Sequence, residues 1–307
     1  MWLLENRTPY AAERTWVLDK NAAKSWVVVV KGTYNILPDG STELADDQED
    51  PLFLPKYRGE DGKSSIVYEA DLIPTKQATD VLLNGHAYAS GGKPTTKVAV
   101  VMKVDNLSKS LIVFGNRRWE KGLLGQTYIT KPEPFVSMPI VYERAFGGWD
   151  TKPEDPADHR LEPRNFIGTG FVTRKKHLVG HALPNVEYPK QLISSWKDRP
   201  KPAGFGAVAS YWTPRKELAG TYDDKWQKER FPLFPEDFDE RFYQCAPGDQ
   251  QIEGFLKGGE PVYLVNLTAD GKLFFRLPEV YLKFMTFFGE KEVEHSAKLR
   301  SNKQPLG

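Results

Sequence analysis

Cysteine is almost absent from this chain. Cys245 is the only one in 307 residues, which excludes an intrachain disulfide and a cysteine-cluster zinc site and fits a reducing compartment. An excess of charge of either sign is also missing. With 42 Lys plus Arg against 41 Asp plus Glu, the chain as a whole has no electrostatic pull toward nucleic acid or an anionic membrane. Long apolar runs are missing too: the longest β-branched one, Val27 to Val30, falls far short of the roughly 20 residues of a membrane helix. The opening "MWLLENRTPYAAERTW" lacks the basic, apolar and small-residue segments of a secretory signal. Together these absences predict a soluble cytoplasmic protein. In that setting the Asn-x-Ser/Thr triplets at Asn6, Asn106 and Asn266 carry no glycan.

What is present is β-branched residues in short runs closed by turn signals, which favours strands over helices. "SWVVVVKGTYNI", "LPDG" and "STELA" read as strand, turn and returning strand. "KVAVVMKV" places Val98, Val100, Met102 and Val104 on one face, because side chains alternate along a strand. "SLIVFG" then returns across "DNLSK". "EPVYLVNLTADGKLFFRLP" repeats the device with Asp270 and Gly271 at its turn. The run Phe135 to Ala145 and "DVLLNGHAYA" are further strands. Between Asp150 and Pro202 proline, glycine and charge become frequent and periodicity fades, which indicates long ordered loops or a mobile insert. Helical signals are short. Asp223 caps "DKWQKER", and Pro235 with Glu236 and Asp237 opens a helix over "EDFDERFY". The fold class expected is mainly β: a sandwich or paired antiparallel sheets built from hairpins, with a few short helices and long loops. Residues 1–285 form one β-rich domain with a loop-rich insert at about 150–202, and 286–307 form a polar tail that frays.

A catalytic set is hard to assemble. On a strand, Glu143 and Arg144 would point to opposite faces, so they form neither an ion pair nor an acid/base dyad. Whichever faces inward then requires a counter-ion elsewhere, since a buried unpaired charge costs several kcal/mol; Arg144 is expected to find a carboxylate in the later acidic segment. "GGKPTT" at Gly91 and "NFIGTGF" lack the strand-to-helix context of a phosphate loop. His177 and His181 in "HLVGH" have no glutamate beside the first histidine and no third ligand, so no metal is expected. Cys245 has no activating histidine or helix signature and reads as a small core residue. One competing reading remains. Asp223, Asp237 and Asp239 beside Tyr222 and Trp226 supply the residue types of a carbohydrate-active enzyme or a lectin-like module. The same acids equally suit helix caps and partners for arginines.

Eight tryptophans and many proline–aromatic neighbours are awkward as continuous core, and suit a groove that grips another polypeptide. The ordered series "WVVVVKGTYNILPDG", "LIVFGNRRW", "SMPIVYERAFGGWD", "ALPNVEYP", "KPAGFGAVASYWTPR", "LAGTYDDKWQKERFPLFPEDFDERFYQCAPGDQ" and "YLVNLTADGKLFFRLPE" resembles domain-of-unknown-function family 2169 from about Trp26 to Glu279. The resemblance implies a cytoplasmic chaperone or adaptor of bacterial type VI secretion. Such a protein stabilises an effector polypeptide, in some cases one carrying a PAAR tip, and helps load it onto the VgrG spike. It brings no catalytic residues, and with the charge balance and the short apolar runs no cofactor, nucleic acid or membrane is expected as a partner. Two departures are visible: Phe166 follows Asn165 where members show proline, and members commonly continue with more strand-like sequence past the position of this C-terminus. The candidate partner-binding residues are Tyr142, Arg144, Phe146, Trp212, Arg215, Tyr222, Asp223, Trp226, Asp237 and Asp239. Among them Arg144, Arg215, Asp223 and Asp237 are expected to share a charge network, and Phe146, Trp212 and Tyr222 to touch the partner. A strand of the partner is also expected to add to an exposed sheet edge.

Overall fold

The computed structural model describes residues 3–296, 298, 299 and 301–305, the last five by backbone alone. The fold is mainly β, as the hairpin signals predict. β1 (Ala11–Leu18) and β2 (Lys24–Lys31) form a separate antiparallel ribbon. β3 (Tyr34–Ile36) and β4 (Thr42–Leu44) close the Pro-Asp-Gly hairpin. The apolar run before that turn is therefore not one strand. It breaks at Gly32 and Thr33, and its first half pairs backward with β1 instead of running on to the turn.

Two sheets enclose the main core. One has three strands, with β5 (Ala78–Asn84) at its centre. The other has five, and its middle is the hairpin of β6 (Lys97–Val104) and β7 (Leu107–Phe114). β8 (Val186–Glu187) continues this sheet beyond β7. β9 (Gln251–Glu253) pairs with β5. β10 (Pro261–Val265) and β11 (Lys272–Arg276), joined through Asp270 and Gly271, complete the five-stranded sheet in the order β8-β7-β6-β10-β11.

Alternation explains the packing. Val98, Val100, Met102 and Val104 of β6 point inward with Leu111 and Val113 of β7, Val262 and Leu264 of β10 and Phe275 of β11. Burying each such side chain contributes about 1.5–3 kcal/mol, so a charge at Val100 would break this layer. β5 meets this core with Val81 and Leu83 and turns Leu82 into a second cluster with Tyr142, Ala145, Trp212 and Cys245. Both faces of β5 are covered, which accounts for its unbroken apolar run "VLL".

The segment 150–202 is mostly loop, interrupted by β8 and by the two-residue strands Arg160–Leu161 and Thr169–Gly170. It contributes Val172, Leu178, Leu183 and Ile193 to a third cluster around Trp119 and Phe146. The polar tail does not fray over its described part. β12 (Phe284–Phe288) turns at Gly289 into β13 (Lys291–His295), and β14 (Ser301–Pro305) lies parallel to β5, where its backbone satisfies the sheet edge. Met1, Trp2, Ala297, Arg300, Leu306 and Gly307, which the readings of the opening and the tail include, lie outside the described residues. No helix among the described residues is long and apolar enough to cross a membrane.

Candidate functional site

The segment around Glu143 is a turn, not a strand. Pairing stops after Ser137–Pro139, and Tyr142–Arg144 forms a single 3-10 turn closed by Arg144 N–H on the Val141 carbonyl at 3.0 Å. Strand alternation therefore does not apply there, although the two charges still diverge. The Glu143 carboxylate accepts Ser65 N–H at 2.8 Å and the Ser65 hydroxyl at 2.9 Å. Arg144 Nη1 donates to Asn185 Oδ1 at 2.9 Å. The carboxylate expected for Arg144 from the later acidic segment is not there; a neutral amide serves instead. Asn185 is itself held by its Nδ2, which donates to the Phe114 carbonyl at 3.1 Å.

Asn165 fastens the same turn from below. It is fully buried, and its Nδ2 donates to the carbonyls of Tyr142 at 2.8 Å and Phe146 at 3.1 Å. The backbones pack so closely that a Cβ on Gly147 would lie 2.2 Å from the Asn165 carbonyl oxygen. Gly148, at φ +98°, would put a Cβ 2.4 Å from the Gly168 oxygen. Two glycines are therefore a steric requirement of this crossing.

Among the ten candidate residues, four are core. Tyr142 meets Trp212 edge to face at 5.4 Å, and Trp212 and Phe146 are each only 1% exposed. Phe146 and Trp212 have no surface to offer a partner, because their large apolar area is spent on the second and third clusters. Arg215 is buried against Glu69 and also donates to the carbonyls of Val208 and Phe242 at 2.8 Å. The shared charge network is not formed: Arg144, Arg215, Asp223 and Asp237 each serve a different local partner.

The acidic segment is occupied by its own backbone. Asp223 caps α1 (Asp224–Glu229) by accepting Trp226 N–H at 2.8 Å, as its position ahead of the helix predicts. Asp237 accepts Thr221 N–H at 2.9 Å and the Thr221 hydroxyl at 2.8 Å, and these bonds hold its carboxyl below the usual range. With Asp237 so engaged, no helix opens at Glu236. A 3-10 turn over Glu240–Tyr243 forms instead, capped by Asp239. Asp239 also takes Arg241 Nη2 at 2.6 Å, and that contact lowers its own pKa.

Aromatic surface remains beside these capped acids. Tyr222, 52% exposed, meets Trp226 edge to face at 4.7 Å, and Trp226 meets Phe231, 68% exposed, at 5.8 Å. Trp226 is fixed by Nε1–H donating to the Leu233 carbonyl at 2.8 Å. Arg230 donates to the carbonyl of Phe234 and to that of Lys20 at the tip of the β1–β2 ribbon. On the ribbon Trp16 and Trp26 lie directly opposite one another, 51% and 49% exposed, with Lys24 Nζ 4.8 Å above the Trp16 ring. Trp16 is absent from the sequence-based candidates. No apolar–polar alternation in "AAERTWVL" marks it, and only the pairing of β1 with β2 shows where Trp16 lies.

Buried charge elsewhere also escapes sequence reading. Lys76 Nζ bonds Asp80 Oδ2 at 2.6 Å, and Asp80 also accepts Cys245 N–H at 2.9 Å and Gln244 Nε2–H at 2.8 Å. Burial pushes the Cys245 thiol up to about 12, so it is an un-ionised core group, as expected of it. Lys109 Nζ bonds Asp249 at 2.8 Å and Gln250 at 2.7 Å, and burial pulls its pKa down to about 8. Arg117 pairs with Glu187; burial lowers the first and raises the second. His177 Nδ1 sits 3.8 Å from Asp150, and His181 is lowered by burial. Among the described residues no group of His, Cys, Asp and Glu is arranged to hold a metal ion.

No curated protein and no solved structure matches the chain. A family profile does match, over residues 21–302. That span contains the Glu143 turn, both glycines, the capped acids and nearly every strand described above. The chain belongs to the family described as "Uncharacterized protein conserved in bacteria (DUF2169)".

Proposed function

We propose that this chain is a non-enzymatic adaptor that binds an effector polypeptide of type VI secretion, stabilises it, and helps load it onto the VgrG/PAAR spike in the cytoplasm. The observation that carries the reading is the Trp16–Trp26 pair, two large aromatic residues presented side by side on a ribbon outside the main sheets. Exposed tryptophan and tyrosine dominate the energetics of protein interfaces, and a rigid body holding them costs little order on binding. Tyr222, Trp226 and Phe231 extend the surface, and Arg230 joins their segment to the ribbon tip. Binding of cargo in its folded form would stabilise it by mass action. The ordered motif series, of which "MPIVYERAFGGWD" is the densest part, supports the family membership, and type VI secretion is what the resemblance to that family implies.

The competing carbohydrate-active reading finds less support, because Asp223, Asp237 and Asp239 are each engaged by backbone, threonine or arginine. The test is co-expression with the product of the neighbouring effector gene. The adaptor reading expects a co-purifying complex and a higher soluble yield of the effector. Absence of both gains would overturn it, and stoichiometric co-purification with VgrG in the absence of effector would replace it with a structural role in the spike.

A further inference from the structure

The five-stranded sheet stops short along one edge. β8 covers β7 only at Ile112 and Val113, and the next bond on that side is Phe114 N–H to the Asn185 carbonyl at 2.8 Å. Backbone groups alternate in direction along an antiparallel strand, so those of Ser110 and Ser108 point the same way as Phe114, away from β6. Neither serine has a backbone partner on that side among the described residues. Exposed edges are ordinarily blunted by proline, a bulge or an outward lysine. This one carries two exposed serines, and its lysine, Lys109, points into the core.

The Ser108 end of the open edge borders a depression of about 580 Å³. Leu107 and Ser108 line one side of it, and β9, itself the edge strand of the other sheet, lines another with Gln251, Ile252 and Glu253. Four acidic residues line the depression, Asp105, Asp249, Glu253 and Glu260, against one basic residue, Lys257, and Asp105 Oδ2 accepts Asn106 Nδ2–H at 3.0 Å. Glu260 is taken by the backbone N–H groups of Lys257 and Gly258, and Asp249 by Lys109. Glu253 forms no ion pair among the described residues.

We propose that this depression accepts an extended, lysine- or arginine-bearing polypeptide segment, which adds as a strand to the Ser108–Ser110 edge of β7 with its cations toward Glu253 and Asp105. Outward backbone groups on alternate residues supply the hydrogen bonds of strand addition. Leu107 and Ile252 receive the apolar side chains on one face of the incoming strand, and the acidic rim selects its charge. Phosphate-bearing ligands are repelled by the same rim. The proposal rests on the reading of this chain as a polypeptide binder, and it places cargo contact at a surface separate from the tryptophan ribbon.

The test uses the full chain and a labelled octapeptide alternating lysine and valine, with a glutamate–valine octapeptide as its counterpart. Fluorescence anisotropy should show saturable binding of the lysine peptide that weakens as salt rises, with the glutamate peptide at least about tenfold weaker. Glu253→Lys should weaken the lysine peptide by about tenfold. Ser110→Pro removes the outward N–H, at the cost of fixing φ near about −65°, and should do the same. Should Ser110→Pro fail to fold, hydrogen exchange decides in its place, with amide protection rising at Ser108 and Ser110 when peptide is bound. Equal binding of both peptides, no binding, or unchanged binding in Glu253→Lys overturns the proposal. If the peptide fails but the effector still co-purifies with wild type and Glu253→Lys alike, this site falls and the adaptor reading stands. If the peptide binds as described and the effector never co-purifies, the site stands and the effector assignment falls.

Discussion

The carboxylate of Glu143 holds Ser65 by two bonds at once, backbone N–H and hydroxyl, across 78 residues of chain. That contact ties the Tyr142–Arg144 turn to the strand Ile66–Tyr68. Glu143→Gln keeps the shape and loses the charge; its Oε1 still accepts Ser65 N–H while its Nε2 can only donate to the Ser65 hydroxyl, so a loss of about 1 kcal/mol is expected. Glu143→Ala leaves the Ser65 N–H without its acceptor, and the loss rises to about 2–3 kcal/mol. Urea unfolding of the three proteins checks the order.

Arg215 and Glu69 form a buried pair, and breaking one side costs more than removing both. Arg215→Met is expected to destabilise by about 3–5 kcal/mol, and the double change with Glu69→Leu to recover a large part of that. A double-mutant cycle from thermal or urea melts reads the coupling directly. Equal losses in the single and double variants would show that packing of the arginine stem, not the charge, holds this site.

At Gly148 a single methyl group is too much. Gly148→Ala forces φ +98° on an L residue and drives Cβ toward the Gly168 oxygen. Backbone strain of about 1–3 kcal/mol adds to that clash, and the variant should melt well below wild type. Gly180, also at positive φ but with open space around it, should tolerate the same change with the strain cost alone.

Two buried groups give opposite pH dependences. A lysine unfolds to a pKa near 10.4, whereas Lys109 titrates at about 8 in the folded chain. Between those values the unfolded chain binds the proton that the folded chain has released, so this group's contribution rises with pH. Cys245 runs the other way. Its thiol ionises near 8.5 when unfolded and at about 12 when folded, so its contribution is complete below pH 8.5 and is lost as pH climbs toward 12. From pH 7 to pH 10, Cys245→Ala should therefore lose less stability than wild type, by about 2 kcal/mol. Lys109→Met should lose more than wild type over the same interval. Urea melts at the two pH values read both slopes.

The tryptophan ribbon carries the functional prediction. Trp16→Ser and Trp26→Ser remove two half-exposed rings and one cross-strand pair, so together they should cost about 1–3 kcal/mol and leave the chain folded. Co-purification of the effector should drop sharply. Phe146→Ser is the contrast: it buries a hydroxyl in the third cluster and should unfold the chain before binding can be measured.

What was readable in the sequence was local. The hairpins at Asp105–Asn106 and Asp270–Gly271 follow from alternation and turn residues a few positions apart, and the Asp223 cap needs only three residues of context. What was unreadable depended on partners far along the chain. β2 looked like the first half of a strand into the Pro-Asp-Gly turn, and only its pairing with β1 shows where it ends. The run Phe135 to Ala145 pairs as a strand only as far as Ile140, and beyond Val141 the tight crossing with Asn165 demands a turn. Phe146, Trp212 and Arg215 carry the same residue types as contact residues. Nothing in their neighbours announces burial.

Asp80 joins Lys76, four residues away, to Gln244, Cys245 and Ala246, some 165 residues further on. Glu69 reaches Arg215 across 146 residues. Every one of these knots closes a long loop before it returns any stabilisation, and loop-closing entropy of that kind slows folding. The chain is thus expected to search for its native topology over milliseconds to seconds or longer, with its tryptophans uncovered meanwhile. The adaptor proposed above would then pass through its own vulnerable interval before it could bind cargo, and its refolding yield should fall steeply with concentration.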